Sequence, residues 1–505
     1  MATGAGGGGR EQGAYTAAMP PRPQNPPPDR PHEARVKIVA TVGPASRDPA
    51  QLAALARAGV DVFRCNGAHT PPEAIAPLVS DVAKTARRTG RSLAVLLDLP
   101  GVKLRIGRLP GGGMEVAVGD RLRIVPGVAA TRPGELAVPR VVLESMVVGA
   151  EVLLGDGTLA LRIESRGRGG ATCVVEAGGA LRERAGVHVR DAKHPGPVLT
   201  ARDFRLAEAG VVAGVDALAV SFVRGPEDVA KLRRHLVRRG LRVPVLVAKI
   251  ERREALERIE GILGASDGIM VARGDLGLEL GPAEMPGAQK RLLDAALRHG
   301  RLAITATQML ESMTTARRPT RAEATDVANA VFDGTDAVML SGETAVGAHP
   351  ALVVETMSQI LLAAEADSHC PFGGDTRHPV PIAGPTRPDR LVVRAAVRLA
   401  MDAEAAAVVV FTRGGQSARR VSKERPRAPI FAYAVDDAVR RGLLLSWGVR
   451  PRHLPDGRST DSIIRRVLAD LRRTHHLRRG DRVVLVMGGA EDPAGATSLI
   501  KLMTV

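Results

Sequence analysis

Aromatic residues are scarce in this chain: one Trp, two Tyr and seven Phe among 505 residues. That leaves few flat surfaces on which single-stranded bases could stack. Cysteine is rarer still. Cys65, Cys173 and Cys370 are odd in number and far apart, which excludes a four-cysteine zinc site and a disulfide framework. Such sparse cysteine suits a reducing, cytoplasmic compartment. No uninterrupted apolar run approaches the roughly 20 residues that span a bilayer, so no membrane partner is expected. The opening residues MATGAGGGGREQGAY lack the apolar centre of a secretion signal. Lysine is also sparse, with nine among 71 basic residues.

The rest of the composition is that of a globular chain, 45% hydrophobic and 25% charged, long enough for about three domains. Basic residues outnumber acidic ones by 71 to 54, a net charge of +17. They are spread along the chain rather than gathered in one block. The excess therefore reads as a basic, arginine-favouring surface compatible with small anionic substrates, and nucleic acid is not the expected partner.

Residues 1–33 are Gly-rich and then Pro-rich, a composition that buries little and predicts a disordered tail. From residue 34 to 104, short apolar strands alternate with helices. From 105 to 197, Val/Leu/Arg runs broken by Gly pairs predict a small inserted β domain without clear helices. Helix and strand alternate again from 198 to 372, with strands expected at Ala217–Ser221, Val245–Ile250, Gly268–Val271, Leu302–Ala306 and Ala337–Leu340. The two stretches together hold about eight βα units. That pattern implies a (β/α)8 TIM barrel with its chemistry at the C-terminal strand ends, an open doubly wound sheet being the alternative. A linker is read at 373–388 and a smaller α/β domain at 389–505.

One segment, VAKIERREALERIEGILGASDGIMVARGDLG, gathers chemistry. Lys249 and Glu251 end one expected strand, and Asp275 follows the next. A lysine in an apolar strand needs a partner or costs several kcal/mol. Glu251 and Asp275 supply hard oxygens suited to Mg2+ or Mn2+, ions that also hold substrate phosphates. A metal and a lysine together can stabilise a transferring phosphoryl group or a developing enolate; a buried ion-pair network is the alternative. Amides after Arg273, eased by Gly274, can cradle a small carboxylate. Thr307, Ser341 and Glu343 stand at later strand ends, where a hydroxyl can orient water, although a strand-end Thr is more often structural. Arg64, Asn66 and His69 cluster early, and Arg105 ends DLPGVKLR; both arginines suit phosphate oxygens.

These blocks resemble the pyruvate kinase family. The matching segments are KIVATVGPAS (37–46), DLPGVKLR (98–105), AKIERREAL (248–256), SDGIMVARGDLG (266–277), TATQMLESM (305–313) and the long run 317–350. The resemblance covers nearly everything after residue 34. It implies transfer of the phosphoryl group of phosphoenolpyruvate to ADP, the last step of glycolysis, beneath an inserted small β-barrel lid that excludes water. By resemblance Lys249 neutralises the phosphoryl and stabilises the enolate. Glu251 and Asp275 hold the divalent ion. Gly274, Asp275 and Thr307 receive the carboxylate, and Arg64 contacts the phosphoryl. Asn66, His69 and Arg105 line the nucleotide side. Ser341 and Glu343 serve proton delivery to C3. The family is usually a homotetramer.

The departures carry predictions of their own. The family's monovalent-cation site survives only as Asn66 and Asp98, because Ala68 and Leu99 stand where two oxygen ligands belong. Lys103 occupies a position that is Glu in potassium-dependent members and Lys in independent ones, so potassium is expected not to be required. The lid departs as well: Gly155–Asp156 replaces paired aspartates, and Ala185 and His188 replace a lysine and an asparagine, leaving Arg184 to supply nucleotide contacts. In the C-terminal domain, Thr412, Gly415, Ser417 and Arg419 are candidates for an effector-phosphate loop, with Gly414 in place of its serine and a plain helix cap as the other reading. A catalytically weak, metabolite-sensing homologue is the alternative to the enzyme.

Overall fold

Apolar runs of four to six residues, each closed by a polar residue, build eight parallel strands that close into a barrel. They are β1 (Lys37–Thr41), β2 (Val62–Asn66), β3 (Ala94–Leu99), β4 (Ala217–Val220), β5 (Val245–Ile250), β6 (Gly268–Ala272), β7 (Leu302–Ala306) and β8 (Ala337–Leu340). β1 pairs with β8, Lys37 opposite Ala337, so the ring has no open edge. The expected TIM barrel is therefore the architecture, in a computed structural model describing residues 34–155, 157–192, 196–367, 370, 388–455, 459–488 and 496–505. The tail 1–33, the linker segment 373–387 and Asp156 lie outside these residues.

The strands are apolar almost without interruption because side chains on both faces are covered. Val39, Val62, Leu96, Val247, Met270 and Ile304 pack inside the ring. Leu97, Leu218, Leu246, Ile269 and Val338 face the helices. Helix starts follow their caps: Thr200 with Asp203, and Thr320 with Glu323, form reciprocal capping boxes before Ala201–Ala213 and Arg321–Phe332. Among the described residues, no helix is long and apolar enough to cross a membrane.

The chain leaves the barrel after β3 and returns before β4. Between them lies a six-stranded sheet in the order 187–189, 151–154, 159–167, 170–177, 121–126, 135–138, with a two-stranded ribbon of 113–116 and 179–182. The chain segment 104–107 hydrogen-bonds to both edge strands, the Val187 amide to Leu104 O at 3.1 Å and the Gly107 amide to Ala137 O at 2.8 Å, and the sheet curls into a half-barrel. It also contains one helix that its composition did not announce, Arg140–Ser145, which buries Val142 and Leu143.

The C-terminal part is a five-stranded sheet in the order 449–453, 430–434, 407–411, 482–487, 499–504, antiparallel only at the last pair. The three inner strands were legible as apolar runs. The two edge strands, VRPRH and LIKLMT, were not, because edge strands need cover only one side and tolerate Pro, Arg and Lys.

Candidate active site

Lys249 stands near the top of β5, in a strand otherwise fully apolar up to Ile250. Its Nζ lies 2.9 Å from Glu251 Oε1 and 3.4 Å from Asp98 Oδ1, and donates to Ser221 Oγ at 2.7 Å. Burial works to lower its pKa, but Asp98 and Glu251 outweigh that, and the ammonium is held above its ordinary range. The expected alternative for this segment, a buried ion-pair network, is thus present.

Asp98, at the top of β3, is shared. Arg64 on β2 donates to its Oδ2 from Nε at 2.9 Å and from Nη2 at 2.7 Å. Burial alone would raise the Asp98 pKa, but Lys249 and Arg64 hold it below the ordinary carboxylate value. The remaining Arg64 nitrogen, Nη1, donates to Thr41 Oγ1 at 3.0 Å. Both arginine and lysine are therefore aimed by a carboxylate, with orientation fixed before any anion arrives.

Glu251 is sealed, and its Oε2 accepts the Phe222 amide at 2.6 Å. Burial pushes its pKa up, Lys249 opposes this, and the nearby charge of Asp275 pushes it up further. Asp275 also pairs with Lys103, Nζ to Oδ1 3.2 Å. Glu251 and Asp275 line one cleft with Lys103, Phe222, Arg252 and the lid residue His188. Among the described residues no group of three or more His, Cys, Asp and Glu side chains gathers as a metal cage. Two opposed carboxylates on a cleft nevertheless fit Mg2+, which takes one or two protein carboxylates and completes its shell with substrate and water.

The turn after β7 is strained. Thr307 and Gln308, neither of them glycine, adopt φ of 69° and 53°. Arg273 holds them there: its Nη2 donates to Thr307 O at 2.7 Å and Gln308 O at 3.1 Å, while Nη1 donates to both Asp326 oxygens at 2.6 and 2.7 Å. The turn aims Thr307 Oγ1 at the Gly274 amide, 2.8 Å away. Gly274 and Asp275 open the helix Arg273–Leu280, and a helix's first amides suit an anion. Glu343, fully buried, accepts the Ser341 amide at 2.6 Å and the Leu310 amide at 3.2 Å, tying the β7 and β8 loops together.

Asn66 and His69, expected to line the nucleotide side, share one turn. Asn66 Oδ1 accepts the Ala68 amide at 3.1 Å, and the His69 amide bonds Asn66 O at 3.1 Å. Gly67 makes the turn possible, since a Cβ there would stand 2.6 Å from Asp98 O. Arg105 lies where the chain enters the lid, its Nη1 donating to Arg184 O at 3.0 Å. The lid reaches the barrel at the helix bearing Asp275: His188 Nδ1 is 3.9 Å from Glu279, and a Cβ on Gly157 would stand 2.7 Å from Leu278.

The candidate effector loop is only partly assembled. Thr412 Oγ1 accepts the Gly415 amide at 2.9 Å, and Ser417 bonds Thr497 at 2.6 Å. Arg419 is turned instead toward the barrel floor, where Asp267 and Arg301 act on its charge.

Sequence reasoning missed Thr41, Ser221 and the Arg273–Asp326 clamp. Thr41 lay inside the quoted block 37–46 and Ser221 ended an expected strand, so strand-end position was the signal available. Asp326 had none: it sits mid-helix, 53 residues from its partner.

Two family models match: Pyruvate kinase, barrel domain, over residues 33–354, and Pyruvate kinase, alpha/beta domain, over 390–503. A pyruvate kinase of Mycobacterium tuberculosis is 38% identical over 468 residues, covering 92% of this chain and 97% of that one. One from Geobacillus stearothermophilus is 36% identical over 479 residues, covering 93% of this chain and 80% of that protein. The crystal structure of a pyruvate kinase from Cryptosporidium parvum superposes with a TM-score of 0.84 at 30% identity, covering 94% of this chain and 96% of that one.

Proposed function

This chain belongs to the pyruvate kinase family, a phosphotransferase that moves the phosphoryl group of phosphoenolpyruvate to ADP, and from that premise we infer how its own residues divide the work. The observation that carries the assignment is the Lys249 ammonium held between Asp98 and Glu251, beside Asp275, at the C-terminal mouth of the barrel.

In the reaction the bond from phosphorus to the enol oxygen breaks and a bond from phosphorus to a terminal ADP oxygen forms. The enolate left behind takes a proton at C3. Lys249 and Arg64 supply two fixed positive charges where the phosphoryl oxygens and the enolate oxygen stand. Their carboxylate partners keep them oriented, so little reorganisation accompanies the transfer. The Gly274 and Asp275 amides with the Thr307 hydroxyl receive the substrate carboxylate. Ser341, placed by Glu343, belongs to the proton route to C3.

Mg2+ use follows from family membership; Glu251 and Asp275 are the residues that would hold it, and Mn2+ has the same ligand preference. When bound, the ion supplies charge that screens substrate oxygens from one another. Potassium is not required in our reading. Both Asp98 oxygens are already engaged by Arg64 and Lys249, Asn66 spends its oxygen on its own turn, and Lys103 brings a fixed charge to Asp275.

The segment 105–197 acts as the lid, closing over the nucleotide side lined by Asn66, His69 and Arg105. The domain 389–505 is of the effector-binding type. A cytoplasmic homotetramer is the assembly that family membership supports. No feature of the site favours a purely regulatory, inactive homologue.

The test is pyruvate formation from phosphoenolpyruvate and ADP with Mg2+, at matched ionic strength in potassium or tetramethylammonium salt, beside a Lys249→Ala variant. Equal turnover in both salts, lost in the variant, supports the whole reading. Absence of turnover with any nucleoside diphosphate overturns it. Tenfold activation by potassium removes the potassium-free part alone.

A further inference from the structure

At the floor of the barrel, four aspartates each stand one residue before an even strand: Asp61 before β2, Asp216 before β4, Asp267 before β6 and Asp336 before β8. Each grips one residue of the preceding odd strand at two points. The carboxylates accept the amides of Ile38, Val95, Leu246 and Ala303 at 3.0, 2.9, 3.0 and 2.7 Å. Their own amides donate to the carbonyls of the same four residues at 3.0, 2.9, 2.8 and 2.9 Å. A fourfold clamp therefore sets the height of β1, β3, β5 and β7. Those strands carry Thr41, Asp98, Lys249 and, one residue past its end, Thr307.

The clamps differ in who neutralises them. Asp61 forms ion pairs with Lys37 and Arg91 at 3.9 and 3.6 Å and Asp267 with Arg233 at 3.3 Å, all within the barrel, although Asp267 also feels the charge of Arg419 from the C-terminal domain. Asp216 and Asp336 instead meet residues of the C-terminal domain: Arg441 at 2.9 Å for the first, Lys423 and Arg425 for the second, with Arg425 at 3.0 Å. Asp336 is completely buried, Lys423 and Arg425 nearly so, and Arg425 also stacks over Trp447 at 4.7 Å.

We propose that Asp336 is a positioning residue for Thr307, acting through β7, and that Lys423 lends the C-terminal domain's hold to it. The inference rests on the pyruvate kinase reading above. A five-residue strand is a short, stiff lever, roughly 15 Å long. Its upper end enters a strained turn that is held at 2.8 Å from the Gly274 amide, so a shift at Ala303 reaches the group that receives the substrate carboxylate.

The experiment uses the full chain. Wild type is assayed first, because absence of pyruvate formation refutes the kinase reading before any variant is considered. Lys423→Met is expected to raise KM for phosphoenolpyruvate about fivefold while leaving KM for ADP within about twofold, and Lys423→Arg is expected to restore it. Arg452→Met, which breaks a pair with Asp470 inside the C-terminal domain, controls for lost stability and is expected to leave both KM values unchanged. The proposal is overturned if Lys423→Met leaves the phosphoenolpyruvate KM unchanged, if both KM values move together, or if Arg452→Met has the same effect. Should Lys423→Met not fold, Asp336→Glu keeps the charge, moves the carboxylate by one methylene and is read by the same criteria.

Discussion

Replacing Lys249 with methionine separates what the ammonium does for the fold from what it does for the reaction. The methionine fills most of the volume, so the change is chiefly one of charge. Asp98 keeps Arg64 at 2.7 Å and stays compensated. Glu251 keeps only the Phe222 amide at 2.6 Å and becomes an uncompensated buried carboxylate. Breaking a buried pair from one side costs about 3–5 kcal/mol. The lower end applies here, since Glu251 already lies above the usual carboxylate range through burial and can take up a proton. The stability loss should therefore be about 3 kcal/mol, visible as a lower denaturation midpoint. The catalytic loss should be larger in effect: one preorganised charge at a developing anion contributes about 10²–10³-fold in kcat. Coupled measurement of pyruvate formation reads the whole reaction, and deuterium uptake from solvent into the pyruvate methyl group reads the enolate step alone. Both should fall together. A folded Lys249→Met protein that keeps more than about a tenth of kcat would refute the role given to this charge.

Other outcomes follow from the same geometry. Lys103 and Asp275 are about one-third exposed, 35% and 28%, so their pair at 3.2 Å is screened to about 1 kcal/mol; Lys103→Met should lose roughly fivefold in kcat/KM, and potassium should not restore it because Ala68 and Leu99 offer no side-chain oxygen. A potassium-rescued variant would show that a cation site survives. Arg273→Lys keeps the charge but loses the fork onto Thr307 and Gln308, and KM for phosphoenolpyruvate should rise about tenfold with KM for ADP little changed; equal changes in both would remove the clamp role. Burial, reinforced by Arg252 and Arg190, lowers the His188 pKa from 6.5 to about 3. Between those values the unfolded chain binds a proton that the native chain refuses, so stability falls as pH drops from 6.5 toward 3, by up to about 1.4 kcal/mol per pH unit. Thermal melts of wild type and His188→Gln over that range should diverge, with the variant flatter; parallel curves would show that His188 is not the group responsible.

Strand and helix periods in the barrel are local properties, and they could be read directly. VLVAKI, GIMVA and LAITA are strands because both faces are buried, and their polar ends mark the mouth where Lys249, Asp275 and Thr307 stand. The same rule failed at VRPRH, an edge strand, and at Arg140–Ser145, a helix of six residues too short to show a period. Among the site residues, those that carry charge to the reaction were visible because charge in an apolar strand is costly and therefore conspicuous. Their supports were not. Thr41 beneath Arg64, Ser221 beside Lys249 and Asp326 behind Arg273 are ordinary polar residues whose meaning depends on distant neighbours.

By itself, then, the sequence determined the alternation, the insertion and the charged residues at the strand ends, because periodicity and the cost of burying charge act within a few residues of each position. Only the tertiary structure decided which carboxylate holds which cation. Arg64 meets Asp98 across 34 residues, Lys103 meets Asp275 across the lid, and Arg419, read as part of an effector loop, turns to the barrel floor. Ion-pair partners are chosen by closure of the barrel and docking of the C-terminal domain, which bring together groups that no spacing along the chain relates.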